Sequence, residues 1–307
     1  MNRKPLEGVL CLVPTVFDER GNLDLEGFRE NLRYLEAEGM HGIVAGASVG
    51  QYYELNGEEF RQVASAAREE CHNMTCLIGT HFQDTRETIA RTKYAEDIGA
   101  DGAFILPAYY SNLLDAESCY AHYKAIHDTT SEIWILLYNF HAAGFVVDIE
   151  LWERLLKDCP RITAVKECTP LIEMSELARR YSDRLNIMSG CEHCFYPLMV
   201  MGGASTVGMW ATAFPKFMLR FYDACVNKRW DEALEYHRLL CSYFYEMKAG
   251  GHPFDNKGIV TAAGLKGGFQ KPPYANPSQR DIEFHKKWLK KLDEALERMG
   301  QLEKSKV

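Results

Sequence analysis

The sequence predicts an α/β protein, a (β/α)8 barrel with a C-terminal helical subdomain, and three observations support this fold class. Short apolar runs alternate with amphipathic stretches of helical periodicity from the N-terminus to about residue 228. These make about eight strand, loop and helix units, which is the number in a closed parallel barrel. The predicted strands are apolar on both faces, as strands between a barrel interior and a ring of helices must be.

The predicted strands follow one another through the first 209 residues. They are VLCLV from residue 9, GIVAG from 42, CLIGT from 76, GAFIL from 102, IWILLYN from 133, ITAVK from 162, LNIMS from 185 and ASTVGM from 204. Helices are predicted between them, among them those that follow Asp84, Asp115 and Asp148. The first strand leads into PTVFDERGN rather than into a G-x-G-x-x-G loop, so an open nucleotide-binding sheet is disfavoured.

The last part of the chain has a different pattern. After about residue 228 it is largely helical, with the segments WDEALEYHRLLCSYFYEMKAG, NKGIVTAAGL and RDIEFHKKWLKKLDEALERMG. We therefore predict a barrel over residues 1–228 and a helical subdomain over residues 229–307. No linker or sequence repeat interrupts this organisation.

Composition excludes some classes of partner. The net charge of −8 argues against binding to a nucleic-acid backbone, which requires clustered Lys and Arg. No stretch approaches the roughly 20 apolar residues of a membrane span, and the N-terminus has no signal-peptide pattern. A cytoplasmic protein is predicted, with its ten cysteines reduced. The CEHC segment at 191–194 has no second pair of ligands, so no metal or redox site is predicted there.

Reactive groups of barrel enzymes lie at the carboxyl ends of the strands. The residues at the predicted strand ends are Ser48, Tyr109, Tyr110, Tyr138, Lys166, Gly190, Glu192, Val207 and Gly208. Lys166 is the most informative of them, because burial favours the neutral amine, which can condense with a ketone. Tyr138 on the neighbouring strand could move protons during that reaction. The GASVG loop offers backbone N–H groups to a carboxylate, so the set suits a 2-keto acid.

Each of these residues also has an ordinary structural explanation. Lys166 could extend to solvent or pair with Glu167, and Tyr138 could be a core aromatic residue. Ser48 and the nearby glycines could simply form a turn. The occurrence of all of them at strand ends is what favours the catalytic interpretation.

The same residues give the chain its resemblance to a known family. It resembles the dihydrodipicolinate synthase / N-acetylneuraminate lyase family of class I lyases over nearly its whole length. The matching segments, in family order, are VPTVFDERGNLD, GASVGQYYELNGEE, PAYY, YN, AVKE, SG and MGGASTVGMWATAFPK. The resemblance implies a TIM (β/α)8 barrel that is usually a homotetramer, a dimer of two tight dimers, with no metal or organic cofactor.

The resemblance also implies roles for individual residues. Lys166 matches the lysine that forms an imine with pyruvate or another 2-keto acid, and Tyr138 matches the proton-relay tyrosine. Ser48 matches the relay hydroxyl, and Tyr110 matches the tyrosine that completes the relay across a dimer interface. Gly190 and Val207 match positions that line the pyruvyl pocket, and Gly208 follows them.

Departures from the family pattern bear on the substrate. Val49 replaces one of two consecutive hydroxyl residues, so the backbone would have to hold the keto-acid carboxylate. Ala143 stands where lysine-pathway synthases have an arginine that binds the second substrate's carboxylate, and a methyl group cannot replace that clamp. Glu192 lies where sialic acid lyases have acidic residues that face sugar hydroxyls. His141 could point into the same end of the pocket.

We therefore predict a Schiff-base lyase that cleaves or forms a hydroxylated 2-keto acid, with pyruvate and an aldehyde as partners. Dehydration or deamination of a hydroxylated 2-keto acid through the same imine is an alternative. A 4-hydroxy-tetrahydrodipicolinate synthase is a further alternative, disfavoured by Ala143. A metal-dependent aldolase and a non-enzymatic keto-acid-binding barrel are the remaining alternatives, and the sequence offers no compelling set of metal ligands for the former.

Overall fold

A closed barrel of eight parallel strands forms the centre of the molecule, so the predicted fold class is confirmed. The computed structural model describes residues 3–109 and 113–304. The strands are β1 Val9–Leu12, β2 Gly42–Ala45, β3 Thr75–Gly79, β4 Gly102–Ile105, β5 Trp134–Phe140, β6 Ile162–Cys168, β7 Asn186–Ser189 and β8 Ser205–Gly208. They pair in sequence order, and β8 pairs with β1. Strands β5 and β6 extend one and two residues beyond the predicted ends.

Helices surround the barrel and continue beyond it. Those between or directly after the strands are α1 Leu25–Ala37, α2 Gly57–Glu70, α3 Thr85–Asp97, α4 Ala116–Thr129, α5 Ile149–Asp158, α6 Leu171–Tyr181, α7 Phe195–Val200, α8 Trp210–Ala213 and α9 Pro215–Val226. The C-terminal region consists of α10 Trp230–Ala249, α11 Asn256–Ala262 and α12 Gln279–Lys304. The predicted boundary at residue 228 falls between α9 and α10, and the division into two domains stays a prediction.

Side-chain caps explain where several of these helices begin. Asp84, Asp115 and Asp148 each accept a hydrogen bond from a backbone N–H two or three residues later, at 2.6, 2.7 and 2.9 Å respectively. Such a bond satisfies an N–H group that the first turn of a helix leaves unpaired. The helices that the sequence predicted after these aspartates are therefore present, with the aspartates as their N-caps.

The C-terminal region reaches the face of the barrel where the strands end. The Nζ atom of Lys257, in α11, donates a hydrogen bond to the carbonyl of Thr15, in the loop after β1, over 3.0 Å. Every residue of β1 to β4 and β8 is buried, so the core lies between the barrel and its helices. In the described ranges, no helix has the length and apolarity needed to cross a membrane.

Candidate active site

A cavity of about 460 Å³ lies at the carboxyl ends of the strands. Its lining includes six of the residues singled out from the sequence, namely Ser48, Val49, Tyr138, Lys166, Gly190 and Glu192. The segment from Phe254 to Lys257, in the C-terminal region, lines it as well. The fold therefore brings together side chains from four strand ends and from a distant part of the chain.

Lys166 carries a buried amine in an aromatic setting. It is 4% exposed, and its Nζ atom lies 4.4 Å from the centroid of the Tyr138 ring and 5.9 Å from that of Phe104. The described residues give it no ion pair. Its amine therefore faces the cavity and the electron-rich faces of two rings rather than a carboxylate.

Tyr138 is held in place by stacking. Its ring stacks on Phe140 at a centroid distance of 5.3 Å and on Phe104 at 5.0 Å. Burial raises the pKa of Tyr138 well above its usual value, with further contributions from Cys168. The phenol is therefore protonated at neutral pH and can act as a proton donor in the cavity.

The neighbouring Glu167 has its own partners on the other side of β6. Its carboxylate accepts hydrogen bonds from Nδ2 of Asn139 at 3.1 Å and from the backbone N–H of Thr169 at 3.2 Å. Successive residues of a strand point to opposite faces, so Lys166 and Glu167 point apart. The alternative in which Lys166 reaches solvent or pairs with Glu167 is therefore wrong.

Gly190 leaves the space in which Lys166 lies. A Cβ atom at this position would lie 2.2 Å from Sγ of Cys168 and 2.7 Å from Cε of Lys166. Both distances are far below van der Waals contact. Only glycine therefore allows the chain directly after β7 to pass beside the lysine side chain in this arrangement.

Glu192 is a buried carboxyl group at the cavity. It is 3% exposed, and its Oε1 atom accepts a hydrogen bond from the backbone N–H of Trp210 at 3.2 Å. Burial raises the pKa of Glu192 to about 7, although Lys166 and backbone N–H groups act in the opposite direction. Gly208 makes room for this carboxyl, because a Cβ atom there would lie 2.0 Å from Oε1.

Ser48 and Val49 lie in a turn after β2. Ser48 is exposed and Val49 half-buried, and both face the cavity. The turn packs closely against β3, since a Cβ atom on Gly79 would lie 2.1 Å from the carbonyl oxygen of Gly46. This close packing fixes the backbone that carries Ser48.

The remaining predicted residues are placed differently. Tyr110 lies outside the described residues. Val207 is fully buried within β8, and His141 is exposed, with its Nδ1 donating to the carbonyl of Cys168 at 2.7 Å. His141, Val207 and Gly208 are thus not among the residues that line the cavity, and their roles stay predictions. No cluster of three or more His, Cys, Asp or Glu side chains suited to a metal ion occurs in residues 3–109 and 113–304.

Sequence reasoning missed the contribution of the C-terminal region. Asn256 and Lys257 line the cavity and are 7% and 1% exposed. Burial lowers the pKa of Lys257 to about 8. A polar Asn-Lys pair at the start of an otherwise apolar segment was the only local signal, and it is common at helix starts. It did not indicate proximity to the strand ends.

Comparison with known proteins confirms the family that the sequence resembles. The model of the dihydrodipicolinate synthetase family matches residues 5–292. The chain belongs to this family. The family match extends from β1 into α12 and thus includes the barrel and most of the C-terminal region.

Individual relatives in the dihydrodipicolinate synthetase family carry several names. An uncharacterized DapA-like lyase of Thermococcus kodakarensis is 33% identical over 76% of this chain and 81% of its own. A 4-hydroxy-tetrahydrodipicolinate synthase of Methanosphaerula palustris is 31% identical over 85% of this chain and 91% of its own. The solved structure of YagE, a prophage protein of E. coli K12 in complex with pyruvate, has a TM-score of 0.85 at 19% identity and covers 94% of this chain and 99% of its own.

Ala143 is the position at which the family resemblance implies an arginine in lysine-pathway synthases. It lies in a 3-10 turn, His141–Ala143, directly after β5, and is 6% exposed. No arginine lines the cavity among the described residues. The part of the cavity that the structure describes therefore has no guanidinium group with which to bind a second carboxylate.

Proposed function

We propose that the chain is a Schiff-base lyase that uses Lys166 to cleave or form a hydroxylated 2-keto acid, with pyruvate and an aldehyde as the other partners. The observation that carries this proposal is the buried amine of Lys166 beside the Tyr138 ring in a cavity at the strand ends. Membership of a family of lyases supports it.

The proposed reaction starts with the neutral amine of Lys166. The amine adds to the C2 carbonyl carbon of the keto acid, and the resulting carbinolamine loses water to form an imine. The Tyr138 phenol donates the proton that leaves with this water. The phenolate then accepts the proton of the C4 hydroxyl as the C3–C4 bond breaks and the aldehyde departs. The remaining enamine takes a proton at C3 from the Tyr138 phenol. Water then hydrolyses the protonated imine to pyruvate and the neutral amine of Lys166, and the phenolate takes back the proton that this hydrolysis releases.

The rest of the cavity suits the two ends of such a substrate. Ser48 and the backbone of its turn would hold the keto-acid carboxylate, with Val49 providing an apolar contact. Tyr110 would take part in proton relay, as the family resemblance implies. Glu192 would face the hydroxylated tail, since a carboxyl with a pKa of about 7 can donate or accept a hydrogen bond near neutral pH.

Two further activities share this imine. Dehydration or deamination of a hydroxylated 2-keto acid differs only in which group leaves next. Synthesis of 4-hydroxy-tetrahydrodipicolinate is favoured by the name of the Methanosphaerula palustris relative and disfavoured by Ala143. Aldol cleavage is proposed ahead of this synthesis because its substrate tail can be neutral.

Trapping of the imine tests the proposal. Borohydride reduction in the presence of pyruvate should add a pyruvyl group to the wild type, and peptide mapping should place it on Lys166. Lys166→Ala should give no adduct, whereas Lys157→Ala, which changes a lysine at the end of α5, should react as the wild type does. An adduct on Lys166→Ala, or a wild type that traps no keto acid, would overturn the mechanism. The predicted dimer of dimers can be checked on the same sample by analytical ultracentrifugation.

A further inference from the structure

Asn256 has a buried amide without hydrogen-bond partners at the wall of the cavity. Its side chain is 7% exposed and lies among the residues that line the cavity. Neither Oδ1 nor Nδ2 has a hydrogen-bond partner among the described residues. Buried polar atoms in folded proteins are nearly always hydrogen-bonded, so both ends of this amide need a partner that the described chain does not supply.

The neighbours of Asn256 are already engaged. Asp255 accepts hydrogen bonds from the backbone N–H of Lys257 at 3.0 Å and from Nε2 of Gln270 at 3.3 Å. The amine of Lys257 donates to the carbonyls of Thr15 and Phe269. These bonds hold the segment in place and leave the Asn256 amide as its unsatisfied group.

We infer that Asn256 is a specificity-determining residue that binds hydroxyl groups on the tail of the substrate. This inference depends on the proposed function, because it takes Lys166 as the point that fixes the keto-acid end. The substrate tail then extends into the remainder of the same cavity, which the C-terminal region lines.

The chemistry of the amide favours a hydroxyl over a carboxylate. An asparagine presents a donor at Nδ2 and an acceptor at Oδ1, and a hydroxyl can satisfy both. A carboxylate can only accept, so it would leave Oδ1 buried and unpaired. Glu192 lines the same cavity and carries negative charge when it ionises, which disfavours an anionic tail further.

Two keto acids of equal length distinguish hydrogen bonding by Asn256 to substrate hydroxyls from a contribution of Asn256 to packing alone. The probes are 2-oxohexanoate and its 4,5,6-trihydroxy analogue, and pyruvate serves as the short reference. For each acid, borohydride trapping over a concentration series gives the half-saturating concentration for adducts on Lys166. Cleavage of the hydroxylated probe converts its adduct to a pyruvyl adduct. The amounts of these two adducts are therefore summed at each concentration.

The test variant is Asn256→Leu, which has a similar volume and no hydrogen-bonding groups. We expect its half-saturating concentration for the trihydroxy acid to rise by roughly 10- to 100-fold, with those for 2-oxohexanoate and pyruvate unchanged. The control is Asn186→Leu, at the start of β7 and thus at the other end of the barrel. Asn186 also has an Oδ1 without a partner among the described residues, while its Nδ2 donates to the carbonyl of Leu6 at 2.8 Å. This control should bind all three acids as the wild type does.

The outcomes distinguish the two proposals. An equal effect of Asn256→Leu on both six-carbon acids, or no effect on either, with pyruvate still trapped on Lys166, would overturn the role of Asn256 alone. A wild type that traps none of the three acids would overturn the proposed function and this inference together. Thermal unfolding of both asparagine variants shows whether each is folded at the assay temperature, and Asn256→Ser provides a second, smaller polar replacement if the leucine variant is not.

Discussion

Lys166 and Tyr138 are paired residues on the adjacent strands β6 and β5, and Nζ of Lys166 lies 4.4 Å from the centroid of the Tyr138 ring. This register places an amine and a phenol side by side on two hydrogen-bonded strands. Strands hold side chains more precisely than loops do, and the rings of Phe104 and Phe140 stack on Tyr138 from neighbouring positions. The pair therefore has a fixed geometry before any substrate binds.

Tyr138→Phe should slow imine formation with pyruvate by roughly 100-fold, because the variant loses the proton donor. The ring and its stacking on Phe104 and Phe140 remain, so the fold should be retained. Rapid-quench borohydride trapping measures the rate, and the final amount of adduct shows whether Lys166 is still reactive.

A second buried tyrosine serves as the control for this change. The Tyr123 hydroxyl donates to the carbonyl of Ile105 at 3.0 Å, and its ring is fully buried. Tyr123→Phe should leave the trapping rate close to that of the wild type. If both phenylalanine variants trap pyruvate at the wild-type rate, Tyr138 is not the proton donor.

Gly190→Ala should strongly slow the trapping of pyruvate while the protein still folds. The new Cβ atom would lie 2.2 Å from Sγ of Cys168 and 2.7 Å from Cε of Lys166, so the lysine side chain must move. We expect a loss of at least about 100-fold in the trapping rate, since an error of about 1 Å in position can cost this much. Circular dichroism and the trapping assay together separate a displaced lysine from an unfolded protein.

Gly57→Ala is the matched control for that substitution. Gly57 is the first residue of α2, and a Cβ atom there would meet nothing within 4 Å. This variant should be as active as the wild type and as stable or slightly more so. Equal activity in both alanine variants would show that the space beside Lys166 is not as tight as the geometry indicates.

The strands could be predicted from the sequence because each is a short apolar run with a turn or helix on either side. The placement of Lys166, Tyr138, Gly190 and Glu192 around one cavity followed from the rule that parallel strand ends meet. What could not be predicted was which distant segment covers that cavity. Asn256 lies far from Lys166 in the chain, and its position depends on the packing of the C-terminal region, which local pattern does not encode. The opposite orientations of Lys166 and Glu167 were not predicted, because the predicted strand ended at Lys166 and β6 continues to Cys168.

Glu192→Gln should change how stability depends on pH. Burial raises the pKa of Glu192 to about 7 from its ordinary value of 4.5, so the folded state holds a proton that the unfolded state releases. The wild type therefore loses stability as the pH rises from about 4.5 to 7, and the glutamine variant lacks this loss. Urea unfolding measures this difference. Relative to the wild type, the free energy of unfolding of the variant should be higher at pH 7.5 than at pH 5 by on the order of 1–3 kcal/mol.

A half-buried glutamate on the outside of the barrel, in α6, shows the opposite titration and makes a suitable control. Hydrogen bonds from Arg179 and Arg180 lower the pKa of Glu176 to about 2. Its contribution to stability is lost only as the pH falls below about 4.5, so Glu176→Gln should show no pH-dependent difference from the wild type between pH 5 and 7.5. A Glu192→Gln variant that behaves in the same way would mean that the Glu192 carboxyl is hydrated.

The aldehyde partner should be neutral rather than anionic. With pyruvate as the donor, we expect kcat/KM for glyceraldehyde to exceed that for aspartate 4-semialdehyde by roughly 10-fold or more, since a lost charged hydrogen-bond pair costs about 1.5–3 kcal/mol. Ala143 supplies no donor, and among the described residues no arginine lines the cavity. Coupled assays of the condensation products measure both reactions.

Ala143→Arg tests whether the missing guanidinium alone sets this preference. Ala143 is 6% exposed and does not itself line the cavity, so a new side chain must pass a buried position before it can reach the substrate. We therefore expect kcat/KM of the variant for the semialdehyde to rise by less than about 10-fold. A fully formed charged hydrogen-bond pair would give a larger rise. Ala142→Arg, one residue earlier at an exposed position, is the control for added charge. A wild type that prefers the semialdehyde would instead identify the chain as a 4-hydroxy-tetrahydrodipicolinate synthase that binds the second carboxylate without an arginine at position 143.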